Sequence, residues 1–236
     1  MLDLVGAIVG MSAIGINLVA FTQALPVTPA RRLGLAALAG AWVGLASGLG
    51  AAGKLSFSSD NPVPLVGVLF AVPLLVVGVL ALRSQRVRSA LLAVPMPLLI
   101  GLNSLRVLGV LFLLLAASGR LSGPFPYSAG LGDIITGAFA IPLALRVARA
   151  AELPAALLRR WNIFGIVDLV AAVGLGLTSA HGSPVQLIHV GVGSEAMQFL
   201  PYCLVPTVLV PFYLITHAIV AAKLAVTRAE PALAHV

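Results

Sequence analysis

Three ionisable residues stand deep inside long apolar runs of this 236-residue sequence: Arg106, Asp133 and Asp168. A charged side chain at the centre of a membrane helix costs roughly 2.5 to 3.5 kcal/mol on insertion scales, so each should face a bundle interior and be paired. Counted along their runs at about 1.5 Å rise per residue, the three come within several ångströms of one depth. Asn103, three residues before Arg106, shares its helix face. One Arg against two Asp leaves a net −1 if all ionise, a charge that a low-dielectric interior must balance with a proton or a cation. Two kinds of chemistry follow: an ion pair that fixes helix register, or a polar site for a substrate, cation or proton. Asp133, across a short connection, is the expected partner of Arg106, which leaves Asp168 without an identified cation.

Tyr202, Tyr213 and His217 fall roughly on one face of the last apolar run. An imidazole there could shuttle protons near neutral pH, although a lone histidine toward the end of a span reads more simply as a hydrogen-bonded packing residue. His181 and His189 belong to the opposite boundary, so no histidine pair shares the depth for haem ligation across the bundle. No metal site is expected, and no cofactor is assigned by any motif. Cys203, the single cysteine, excludes an intrachain disulfide and a thiolate cluster. Pro201, Pro206 and Pro211 each remove a helical N–H and free the carbonyls of Met197, Tyr202 and Thr207. Lipid cannot satisfy those oxygens, so neighbouring helices, hydroxyls or a wet cavity must, and broken helices at depth are a mark of transporter sites.

The elements that position these residues follow from composition. Sixty per cent of the residues are hydrophobic and 9% charged, where a soluble domain carries roughly 25% charged residues; mean hydropathy is +1.11. The expected partner is a lipid bilayer. The net charge of +7 does not indicate nucleic acid, because the cations sit in short loops between apolar runs instead of on an aromatic-interleaved surface. Asp3 opens the first run with no Lys or Arg before it, unlike a secretory signal, so that run is expected to stay as a helix.

Seven windows are long enough to span, near 2–23, 33–53, 62–82, 95–118, 125–148, 161–180 and 198–224. The expectation is an all-α polytopic bundle forming one integral membrane domain over 1–236. The apolar stretch 89–118 is too long for one crossing and contains Pro95 and Pro97, which predicts a short interfacial helix followed by a span. Segments 84–95 and 183–197 are interfacial or re-entrant, and an eighth span is the alternative. Arg31, Arg32, Arg83, Arg86, Arg88, Arg146, Arg149, Arg159, Arg160, Lys223 and Arg228 fall on one side, against Lys54 and Arg120 on the other. The positive-inside rule then puts the N-terminus outside and the C-terminus in the cytoplasm, with a bacterial cytoplasmic membrane as the expected location.

Small residues point to packing. Ala36, Gly40, Gly44, Gly48 and Ala52 recur every four residues and give span 2 a flat ridge, which predicts a central helix; Gly6, Gly10 and Asn17 share a face of span 1. Gly130, Asp133, Gly137, Ala140 and Ala144 form a stripe on span 5, and Trp161, Gly165, Asp168 and Ala172 another on span 6. Residues 53–56 (GKLS) echo 119–122 (GRLS), too short a match to predict a repeat.

The helix count and outside N-terminus resemble the topology of microbial rhodopsins and of the SWEET sugar transporters. A rhodopsin needs a retinal-linking lysine near the middle of its last helix, whereas Lys54 lies in a loop and Lys223 at a span end; the sugar transporters' three-helix repeat has no counterpart either. The expectation from the residues is a proton- or cation-coupled small-molecule transporter with a site of Arg106, Asp133, Asp168, Asn103, Tyr202 and His217. The alternatives are a membrane-embedded enzyme or cofactor-binding protein for a lipophilic substrate, an accessory subunit of a membrane complex, and a seven-helix sensor; a homo-oligomer is compatible with each. A cavity reaching either aspartate would favour transport, a lateral opening rimmed by His181, His189 and Glu195 an enzyme, and a dry, paired core the accessory role.

Overall fold

The computed structural model describes residues 1–57, 65–150 and 153–233, with 227–233 as backbone only. Nine α-helices are present among them: α1 (Leu2–Ala24), α2 (Pro29–Ala51), α3 (Leu65–Arg83), α4 (Gln85–Ala93), α5 (Met96–Leu102), α6 (Val110–Ala117), α7 (Phe125–Arg149), α8 (Ala155–Ser179) and α9 (Val210–Leu233). A 3₁₀ segment, Asn103–Gly109, joins α5 to α6, and a π segment, Val205–Leu209, leads into α9. No strand occurs among the described residues. Seven stretches are long and apolar enough to cross a membrane, with α5 to α6 as span 4 and Val205–Val226 as span 7. The protein is a multi-pass membrane helix bundle. The start expected for span 3, near 62, and the Arg228 side chain lie outside the described residues.

Local signals account for the helix ends. Thr28 accepts from Arg31 N–H, with Pro29 at the first helical position of α2, where its missing N–H costs nothing. Ser84 caps α4 by accepting from Val87 N–H. The GKLS/GRLS echo turns out to be one capping device used twice. Gly53 and Gly119 have φ of 66° and 71°, and the pairs Lys54 N to Leu49 O with Gly53 N to Gly50 O, and Arg120 N to Leu115 O with Gly119 N to Ala116 O, close α2 and α6. Each is a Schellman motif, followed by a buried leucine, Leu55 or Leu121.

Spans alternate in direction, which sorts the connections to two ends. At the basic end Lys223 Nζ donates to the carbonyls of Leu92 and Val94. At the opposite end Arg120 pairs with Asp3, Ser122 N donates to Gly193 O, and Phe57 N donates to Gln198 Oε1. Segment 84–95 contains the short helix expected before span 4. Segment 183–197 is turns and the start of a one-turn 3₁₀ element, Glu195–Gln198, folded against the ends of α6 and α8.

Two expectations are corrected. Span 2 is peripheral: its ridge residues are exposed, and nothing lies within 4 Å of a Cβ built on Gly40, Gly44 or Gly48. The opposite face packs, with Ala46 buried and Gly50 against Cys203. Span 7 starts at Val205, so Pro201 precedes the helix and kinks nothing. Pro211 does free the Thr207 carbonyl, and Trp42 Nε1–H donates to it at 3.1 Å. Apolar clusters fill the bundle at both ends, around Leu99, Leu158, Trp161 and Val220 at the basic end and around Phe112, Leu121, Phe125 and Met197 at the other. The polar residues lie between them.

Candidate functional site

Arg106 sits in the middle of the seven-residue 3₁₀ segment, longer than the three or four residues such helices usually sustain. The segment lies directly on α7. A Cβ on Gly109 would meet Asp133 Cβ at 2.5 Å and the Gly130 carbonyl at 2.9 Å, and one on Gly137 would meet Val107 N at 2.6 Å. The small stripe of span 5 is thus a backbone contact surface that carries the 3₁₀ segment close enough for Arg106 to reach past α7.

The guanidinium is fully buried and each of its nitrogens is engaged. Nε donates to Asp133 Oδ1 at 2.7 Å and Nη2 to Asp168 Oδ2 at 2.5 Å. Nη1 lies 3.0 Å from His217 Nε2 and 3.5 Å from the Gly165 carbonyl. Arginine has no acceptor, so His217 Nε2 must be the unprotonated nitrogen and Nδ1 carries the proton, which it donates to Asn162 Oδ1 at 2.8 Å. Trp161 flanks the imidazole with ring centroids 5.0 Å apart, and its Nε1–H donates to the Thr136 carbonyl. Tyr213 lies under the guanidinium, 5.8 Å from ring centre to Cζ, and accepts from Asn17 Nδ2 at 3.0 Å. Glycine is required at two places around this cluster: a side chain at Gly165 would occupy the space of His217, and one at Gly132 that of the Asp168 carboxylate.

Arg106, Asp133, Asp168 and His217 are therefore one connected cluster, drawn from spans 4, 5, 6 and 7. Asp168, expected to lack a cation, shares the guanidinium. His217, expected near an interface, is fully buried. Asn103 is next to the cluster and not in it, donating to Leu99 O and Thr216 Oγ1. Tyr202 stands apart: its hydroxyl donates to the Leu2 carbonyl and its ring lies 5.4 Å from the Arg120 guanidinium. Asn162 and Asn17 were missed as participants, although Asn162 lies beside Trp161 in the polar-bearing segment 161–168.

Two small cavities meet the cluster, both at Asp133. One, of about 60 Å³, runs between Gly6, Gly10, Arg106, Gly109, Tyr202 and Tyr213. The other, of about 90 Å³, lies among Phe70, Phe112, Phe125, Leu169 and Val210, with Gln198 and Ser194 toward the end opposite the basic loops. Asp168 lines neither. The exposures agree, at 17% for the Asp133 side chain and 6% for that of Asp168. On the other side, an open groove between α8 and α9 touches Asn162 beside Arg159. His181, His189 and Glu195 line none of these spaces, and no group of three or more His, Cys, Asp or Glu suited to a metal ion exists among the described residues.

Residues 63–225 match the family model described as domain of unknown function DUF8737. The chain belongs to that family. The match takes in the whole Arg106 cluster and leaves out spans 1 and 2. No curated protein and no solved structure matches the chain.

Proposed function

We propose that this protein is a small proton- or cation-coupled carrier, oriented with its N-terminus outside and its basic loops in the cytoplasm of a bacterial-type inner membrane. The observation that carries the reading is the position of Asp133, whose carboxylate meets Arg106 on one side and two cavities on the other. Two carboxylates share one guanidinium and His217 is held neutral by its contacts, so the cluster has one negative charge too many for a buried site. A proton or small cation arriving through a cavity at Asp133 balances it. Loss of that charge would loosen the Nε contact and free the 3₁₀ segment to move.

Irregular backbone at membrane depth is tolerated where it lines a cavity. Here the 3₁₀ segment lines the first cavity and the π segment lines both. Each cavity is smaller than the roughly 150 Å³ space that admits a benzene. A solute of that size therefore enters only when the two segments separate. The largely apolar walls favour a small, weakly polar solute. The chain Arg106, His217, Asn162 leads from the cluster to the α8–α9 groove, a route toward the basic end.

The test uses liposomes containing the purified protein, a pH-sensitive dye inside, and a panel of small amines, weak acids and neutral solutes added outside. Solute-dependent pH change should occur with wild type and be lost in Asp133→Asn. Identical traces for the two across the panel would exclude the carrier reading. One observation favours the accessory alternative: the Arg106 guanidinium has a partner at every nitrogen, as a pure register lock requires.

A further inference from the structure

The wall of the bundle between α7 and α8 is open toward its basic end. A groove of about 410 Å³ runs there, and its apolar length is bordered by Phe139, Pro142, Leu157 and Phe164. Phe139 and Phe164 are 62% and 43% exposed. At the head of the groove stand Arg146 on α7 and Arg160 on α8, both exposed. Neither has a hydrogen-bond or ion-pair partner among the described residues.

From Thr136, at the deep end, to Arg146 is ten residues of helix, about 15 Å. The groove thus presents two guanidinium groups at the level of the helix ends and an apolar channel of acyl-chain length running toward the midplane. Guanidinium matches phosphate oxygens in geometry and charge, and basic pockets between membrane helices are suited to anionic head groups. Two other open grooves among the described residues differ in the one feature that matters. The α8–α9 groove carries Arg159 alone and the one bordered by α3, α4 and α9 carries Arg88 alone.

We propose that the α7–α8 groove is a binding site for an anionic phospholipid, with its phosphate between Arg146 and Arg160 and one acyl chain along Phe139 and Phe164. The purified full-length chain, stripped of lipid in a nonionic detergent, is titrated with phosphatidylglycerol or phosphatidylcholine of matched acyl chains, and bound lipid is counted by native mass spectrometry. Each basic residue at an anionic surface contributes about fivefold, so wild type should hold one phosphatidylglycerol about 25-fold more tightly than phosphatidylcholine. The Arg146→Gln/Arg160→Gln variant should lose that preference while keeping the wild-type thermal midpoint in the absence of lipid. Equal affinities of wild type for the two lipids, or an unchanged preference in the double variant, would overturn the proposal. So would inorganic phosphate displacing phosphatidylglycerol at equal concentration, because the apolar channel would then contribute nothing. Should the double variant not fold, a phosphatidylglycerol with a photoreactive acyl chain decides the matter on wild type. Crosslinks are expected at residues 135–146 and 157–164, and an even spread over all seven spans would refute the site.

Discussion

Replacing one carboxylate of the central cluster by its amide should be far cheaper than replacing both. In Asp168→Asn the amide oxygen still accepts from Arg106 Nη2, Asp133 still balances the guanidinium through its 2.7 Å contact, and the formal charge of the trio rises from −1 to zero. What is lost is the charge on one hydrogen bond, on the order of 1.5 to 3 kcal/mol, offset by relief of the repulsion between two carboxylates that share one cation. A net cost of about 1 to 2 kcal/mol is expected, and the same holds for Asp133→Asn. The double variant leaves a fully buried guanidinium with no counter-charge, and removing the last partner of a buried ion costs about 3 to 5 kcal/mol. The double variant should therefore exceed the sum of the singles by roughly 1 kcal/mol or more, a coupling typical of residues in one network. Equilibrium unfolding of the four proteins in mixed micelles with increasing dodecyl sulfate measures all the terms. If either single variant costs as much as the double, that carboxylate alone balances Arg106 and the bridging account fails.

Three shorter predictions follow from other contacts. A cysteine replacing Leu187, which is 77% exposed, should react with an impermeant maleimide added to intact cells and one replacing Gln85 should not, with Cys203 silent because it is buried; reversed labelling would invert the orientation. Gly44→Ala should leave stability unchanged or raise it by up to about 1 kcal/mol through helix propensity, whereas Gly109→Ala, with the Gly130 carbonyl 2.9 Å from its Cβ, should lower it by about 1 to 3 kcal/mol. Equal thermal midpoints for these two variants would contradict the packing described for α2 and the 3₁₀ segment. His217→Phe strands Asn162 and one guanidinium N–H and should cost about 1 to 3 kcal/mol, while His217→Gln should recover part of that loss in the same unfolding assay.

The spans, the short helix before span 4 and the common level of Arg106 and the two aspartates were legible because a bilayer leaves few choices: apolar length sets the crossings, and buried charge must find charge. Other features escaped for identifiable reasons. A span that begins near 198 takes in Pro201, which lies before the helix, and so starts seven residues too early. Starting from Val205, His217 is the thirteenth of the 22 residues of the span, and so lies near the middle of the span instead of toward its end. The same shift puts Tyr202 outside the helix, next to Asp3 and Arg120 rather than Arg106. The ridge of span 2 shows a limit of periodicity: spacing reveals that a face is flat, not whether another helix covers it. Residues 103–109 give a mixed local signal, since Leu and Arg are good helix formers and Asn, Ser, Val and Gly poorer ones, and the close backbone contact that the tighter coil makes depends on Gly130 and Gly137, distant in sequence, as well as on Gly109.

That tighter coil offers a way to separate the carrier from the register lock. A 3₁₀ helix rises about 2.0 Å per residue against 1.5 Å for an α-helix, so conversion of the seven residues would shorten span 4 by about 3.5 Å. At 120° against 100° per residue, it would also turn α6 relative to α5 by about 140°. The present packing forbids this. Gly109 and Gly137 hold the segment's backbone against α7, and the Arg106 contacts to Asp133 and Asp168 pin its middle. Balancing the charge on Asp133 removes one pin, so in a carrier the conversion should become accessible when that carboxylate is neutral. Spin labels on cysteines replacing Pro95 and Ala117, at the two ends of span 4, read the length directly. The carrier predicts that Asp133→Asn populates a second distance shorter by about 3 to 4 Å, absent from wild type. A single unchanged distance in both proteins would mean that the 3₁₀ segment is a rigid packing element, and would favour the accessory role over transport.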